Sequence, residues 1–212
     1  MIARALRWSI FLFPCSLLLV TGCSHNAQLV VRSDAKKVAY AQTFSQAVAD
    51  RSEDGTFQFV LIADDARPRE AREPAVNLTK KSTGRRLDPS ATMPLHQVVY
   101  VKVLWRPMNG TDRSIGSNAS LEWYVLSDTA GGSGDLLEYQ GTAFVMVDPN
   151  DDATKVKIRG GMIKPRAVRG GLTDPIGPAR IEGSFTAVND PARLHELLTA
   201  TRARTAAAAM AQ

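Results

Sequence analysis

The sequence predicts a mainly β fold, an antiparallel sandwich with one C-terminal helix. Three observations point there. Between residues 97 and 189, apolar and polar residues alternate in successive short runs, the period of strands that bury one face. Clusters rich in Gly, Asn, Asp and Pro separate those runs, with no helical period between them. A helical signal follows only after residue 190.

Residues 24–37 are polar apart from Leu29-Val30-Val31 and read as a tether. Residues 38–63 admit two readings. Tyr40, Phe44, Ala47 and Val48 fall at i, i+4, i+7 and i+8, which suits a helix. Ser52-Glu53-Asp54-Gly55 looks instead like a hairpin turn, and its second arm over 56–63 sets Phe57, Phe59, Leu61 and Ala63 on one face. Residues 64–95 contain Pro68, Pro74, Pro89 and Pro94 with the basic pairs Lys80-Lys81 and Arg85-Arg86, and read as a polar linker or long loop.

The main domain is expected over 97–189. Val99, Val101, Val103 and Trp105 share one face of its first strand, opposite Lys102. Ala119, Leu121, Trp123 and Val125 repeat that period, as do Leu137, Tyr139, Ala143, Val145 and Val147, with Gly141 a candidate bulge. Val156 and Ile158 alternate with Lys155, Lys157 and Arg159, and Ile181, Phe185 and Ala187 with Arg180, Glu182, Ser184 and Thr186. The glycine pairs at 160–161 and 170–171 delimit an expected loop that carries Lys164, Arg166 and Arg169. Such strand spacing resembles the immunoglobulin-like sandwich, without that fold's cysteine pair. Asp190-Pro191 then supplies a cap and a first-turn proline. Leu194, Leu197, Leu198 and Thr201 form a stripe, and the alanine run 206–209 is expected to fray because it has little area to bury.

The first 22 residues have a different character. Arg4 and Arg7 precede an apolar run through Leu17-Leu18-Leu19-Val20, and Val20-Thr21-Gly22-Cys23 closes it. This layout resembles the signal peptide and lipobox of bacterial lipoproteins. The resemblance implies cleavage before Cys23, a diacylglyceryl thioether on its sulfur, and often acylation of the new amino group. The apolar run, broken by Pro14, is shorter than the ~20 residues a spanning helix needs, so the lipid would be the anchor. Ser24 stands where the family's inner-membrane retention signal is an aspartate, which implies an outer-membrane protein facing the periplasm.

Without residues 1–22, the 212-residue chain is 190 long, enough for one domain with a sizeable core. Loss of Arg4 and Arg7 leaves 24 basic against 21 acidic residues, too mild a balance for nucleic acid. Cys15 leaves with the signal and Cys23 carries lipid, so no disulfide is expected and packing must supply the stability.

Motifs for chemistry are sparse. His25, His96 and His195 have no second ligand or carboxylate at motif spacing, and no metal or cofactor is expected. Ser33-Asp34-Ala35-Lys36 matches an S-x-x-K string but lacks its companion motifs, and Ser133 fails G-x-S-x-G at Asp135. Asp148-Pro149-Asn150-Asp151-Asp152 begins like a calcium loop, but Ala153 and Arg159 occupy the positions of its Gly and Glu, so a turn is expected. Lys155, Lys157, Arg159, Lys164, Arg166 and Arg169 are the candidate contact with an anionic surface, weighed against lysine and arginine as guards of an edge strand. Tyr100, Trp105, Trp123 and Tyr124 are candidates for a stacking surface, but core packing is preferred for all except Tyr124, which points away from Trp123. The functional expectation is an envelope lipoprotein that binds a protein or glycan partner without catalysis, the alternative being a hydrolase of envelope polymers with a dispersed site.

Overall fold

The computed structural model describes residues 27–52, 56–63, 69–70, 95–105, 117–127 and 134–210. The chain runs β1 (Ala27–Ser33), β2 (Val38–Phe44), β3 (Gln46–Arg51), β4 (Phe57–Ala63), β5 (Arg69–Glu70), β6 (Leu95–Val103), β7 (Ala119–Ser127), β8 (Leu136–Pro149), β9 (Ala153–Arg169), β10 (Ala179–Asn189) and α1 (Pro191–Met210). All strands belong to one ten-stranded sheet in the order β3-β4-β6-β7-β8-β9-β10-β1-β2-β5. Val188 and Asn189 of β10 also pair in parallel with Val48 and Ala49 of β3. The sheet thereby closes on itself as a seven-strand barrel.

The mainly β class and the C-terminal helix are as expected, but a closed barrel replaces the open two-sheet sandwich. Alternation at period two is the same in either architecture. Closure depends on long strands that curve, and here β8 and β9 run 14 and 17 residues through two register shifts in their pairing.

β1 occupies sequence expected to be tether. Ala27, Leu29 and Val31 point into the core, while Gln28 and Arg32 face solvent, so the Leu-Val-Val run conceals an ordinary alternation. The ambiguous 38–50 stretch is two strands that meet at Ser45. Tyr40, Gln42 and Phe44 point inward from β2, then the inward set shifts to Ala47 and Ala49 while Val48 faces out. That one-residue change of parity imitates a helical spacing. β3 and β4 form the expected hairpin, with Ala49 opposite Phe59. Of the expected linker, Arg69–Glu70 pairs with β2 and Leu95 opens β6; residues 64–68 and 71–94 lie outside the described residues.

The barrel interior is filled by side chains. Phe57, Phe59, Leu61, Val99, Val101, Leu121, Tyr139, Ile158 and Ile181 are almost wholly buried in one cluster. Phe59 meets Phe185 edge to face at 5.6 Å, and Trp123 lies 5.7 Å from Tyr139. Each such ring contributes about 1.5–3 kcal/mol by leaving water. Gly141 sits where β8 and β9 come close: a Cβ there would lie 1.8 Å from the Met162 carbonyl oxygen. It is a point of close approach, not the bulge expected, because the odd positions of β8 face inward on both sides of it. The extra residues belong to β9.

The helix packs outside the barrel. Asp190 Oδ1 accepts the Arg193 N–H at 2.9 Å, the cap that the sequence predicts. Leu194, Leu197 and Leu198 cover Val48, Val60, Ile62 and Val98 on β3, β4 and β6. The helix continues through the alanine run instead of ending near Arg204, since Ala208 is buried against Leu126 and Leu136. A small side chain there admits the close approach.

Candidate functional site

The candidate contact residues gather on the outer face of β9. Val156 and Ile158 point inward, which directs Lys155, Lys157 and Arg159 outward. Opposite them on β8 stand Asp148, Met146 and Phe144. Gly160 has φ 63°, the left-handed conformation of the first residue in a glycine bulge. The extra residue switches parity, so Met162 and Lys164 continue the outer face although Lys155–Arg159 used odd positions. A second shift beside Glu138 keeps the face basic: Arg166 contacts Glu138 at 3.0 Å, and Arg169 pairs with Leu136, which faces α1. Lys164, Arg166 and Arg169 therefore belong to the strand, not to the loop expected between the glycine pairs. The bulge that hides this in the sequence is what aligns them with the first three.

Edge protection accounts for only half of the row. From Thr154 to Ile163, β9 lies between β8 on one side and β10 on the other, so Lys155, Lys157 and Arg159 stand in mid-sheet. From Lys164 onward it pairs with β8 alone. Among the described residues, Lys155, Lys157, Arg159 and Lys164 form no ion pair within 4.0 Å, whereas Arg166 has Glu138, and Arg32 and Arg180 on β1 and β10 have Glu182 and Asp34 at 3.6 and 3.9 Å. Cations are thus displayed in excess over carboxylates.

An open depression of about 550 Å³ lies at this place. It takes three residues from each of three adjacent strands, Met146-Val147-Asp148, Lys155-Val156-Lys157 and Ser184-Phe185-Thr186, and none from the far wall of the barrel. It is therefore a concavity of the outer surface. Lys155, Lys157, Ser184 and Thr186 offer donors, Asp148 is its carboxylate, and the Met146 side chain gives it an apolar patch.

The remaining candidates have structural places. Ser33 Oγ accepts the Lys36 N–H at 3.2 Å and donates to the Pro178 carbonyl at 3.0 Å, so the S-x-x-K string is a hairpin turn. Residues 150–152 turn between β8 and β9, with the Asn189 amide bonded to the carbonyls of Asn150 and Asp151. Among the described residues no cluster of His, Cys, Asp or Glu could hold a metal ion. His96 lies on β6 and His195 on α1. Cys23, His25 and Ser133 lie outside the described residues. The aromatic candidates separate: Trp123 is core, and Tyr100 and Tyr124 stand outside the barrel beside the helix cluster. Trp105, expected in the core, is half exposed, because β6 ends at Val103 and the Asn118 amide takes the Trp105 carbonyl at 3.1 Å.

Sequence reading missed one polar arrangement at the barrel's end. Asp174 Oδ1 accepts the Tyr139 hydroxyl at 2.6 Å and the Ile176 and Gly177 N–H groups at 3.0 and 2.8 Å. Burial, then the bond to Asp174, pushes the Tyr139 hydroxyl pKa far up. For Asp174 burial acts upward, but the Gly177 N–H, the Tyr139 hydroxyl, the Ile176 N–H and the nearby Lys36 charge outweigh it and hold the carboxyl below its ordinary value. A neutral donor and an ionised acceptor that are mutually satisfied fasten a loop. No sequence spacing signals this pair, since 35 positions separate its members. Comparison with known proteins finds no matching family, no matching curated protein and no matching solved structure.

Proposed function

We propose that the mature protein is a lipid-anchored lipoprotein of the bacterial cell envelope, a non-enzymatic module that engages an anionic partner through the outer face of β9. The lipobox Val20-Thr21-Gly22-Cys23 supplies the anchor in this reading. The observation that carries the binding role is the mid-sheet position of Lys155, Lys157 and Arg159, where edge protection has nothing to guard. Three cations without an ion pair among the described residues, beside a concavity, form a surface for phosphate or carboxylate groups, attractive within about a Debye length of ~8–10 Å. The barrel interior, filled by its own side chains, serves as the rigid support.

The test is capture of whatever co-purifies with the intact, detergent-extracted protein and with its Lys155→Glu/Lys157→Glu/Arg159→Glu variant. The partner held by the first should be lost from the second while the circular dichroism spectrum is unchanged. Identical captured sets, together with equal binding of the two proteins to anionic vesicles, would overturn the proposal.

A further inference from the structure

The position of β1 relative to the cationic row identifies which anionic surface that row meets. Gln28 of β1 pairs with Ser184 of β10, Ser184 with Lys157 of β9, and Lys157 with Met146 of β8. These four residues make one rung across the outer face. With strands about 4.8 Å apart, Gln28 and Lys157 are only ~10 Å apart. The β10 edge just beyond that rung is already taken, because Val188 and Asn189 pair with β3. The start of β1 therefore lies at the rim of the depression lined by Lys155, Lys157, Ser184 and Thr186.

Cys23 precedes Ala27 by four residues, and a chain of that length spans at most ~14 Å fully extended. A thioether lipid on Cys23 has its acyl chains in the hydrocarbon and its sulfur at the headgroup level. Ala27 is then held within ~14 Å of the headgroups, and the neighbouring rung is held close to them as well. The first half of the helix is on the other wall, packed on β3, β4 and β6, and its end reaches β8 only at Leu136, beside Arg169 and at the opposite end of the row from Lys155. Attraction to anionic headgroups acts within a Debye length and grows with each lysine or arginine near the surface. Short reach and charge complementarity select the same face.

We propose that the outer face of β9 and β10 around Lys155, Lys157 and Arg159 lies against the anionic phospholipid headgroups of the membrane that holds Cys23. This rests on the lipid-anchored reading above and names the bilayer as the anionic partner. The barrel would sit on its β9 side, with α1 turned toward the periplasm.

The full mature protein, extracted from cells and reconstituted into vesicles, tests this. Ser184→Cys and, separately, Arg202→Cys on the exposed side of α1 receive a thiol-specific spin label, and collision with a soluble, uncharged nickel chelate is measured. In phosphatidylglycerol-containing vesicles the label at 184 should be several-fold less accessible than the label at 202. That difference should shrink in phosphatidylcholine-only vesicles, at high salt, and in the Lys155→Glu/Lys157→Glu/Arg159→Glu background, while flotation with the vesicles persists. Equal accessibility of the two labels on protein that floats would overturn the orientation and leave the anchor standing. A second label on Cys23, with failure to float, would instead overturn the lipid-anchored reading and the orientation with it.

Discussion

Tyr139 and Asp174 show at the scale of single residues how pH should act on this barrel. Asp174 is held below its ordinary carboxylate value in the folded chain. Its stabilisation is present above the unfolded value of about 3.9 and is lost as pH falls through that value toward the folded one. Tyr139 works at the other extreme: its folded pKa is raised above the ordinary tyrosine value of about 10, so the unfolded chain loses that proton first and stability declines above about pH 10. Tyr139→Phe removes a hydrogen bond to a charged group and should cost about 1.5–3 kcal/mol at neutral pH, measured by urea titration. In Asp174→Asn the acid-side loss should flatten; an unchanged acid limb would assign it to other carboxylates. Trp123, 5% exposed in the core, should cost about 3–5 kcal/mol on substitution by alanine, and an unshifted melting curve would contradict its placement.

Among the elements, the β8–β9 pair carries the most consequence, and one glycine on each strand makes a separable prediction. Gly160→Ala forces a side chain into the left-handed region with open space around it and should cost about 1–2 kcal/mol. Gly141→Ala drives a Cβ against the Met162 carbonyl, so β8 and β9 must part and the loss should be larger. Thermal melts that rank the two variants the other way would contradict the strand register. The strands β6, β7, β8 and β10, and β9 as far as Arg159, are legible in the sequence because their inward residues keep period two, as Ala119, Leu121, Trp123 and Val125 do, whereas β9 beyond the Gly160 bulge reads as a loop between glycine pairs. The capped helix is legible through Asp190-Pro191 and its leucine stripe. β1 and the β2–β3 pair are not: Leu29-Val30-Val31 has no polar break, and the bend at Ser45 changes parity between two strands. The basic residues of the site are visible as residues, but the bulge at Gly160 conceals that Arg159 and Lys164 share a face. Closure of the sheet leaves no local mark, since it depends on two residue pairs between β3 and β10.

For the whole molecule, the described barrel is filled by its own side chains, and in the proposed account Cys23 carries the lipid. No helix among the described residues is long and apolar enough to cross a membrane. In the proposed account the acyl chains supply the membrane affinity, at about 0.8 kcal/mol per buried CH₂, and the β9 face sets orientation. Cys23→Ser should accordingly move the protein out of the membrane fraction, and its persistence there after an alkaline wash would contradict lipid anchoring. The most direct measurement is the mass of the amino-terminal peptide of the mature protein taken from membranes. The account predicts a chain that begins at Cys23 and carries a diacylglyceryl group on its sulfur. An unmodified Cys23, or a chain that begins at another residue, would contradict it.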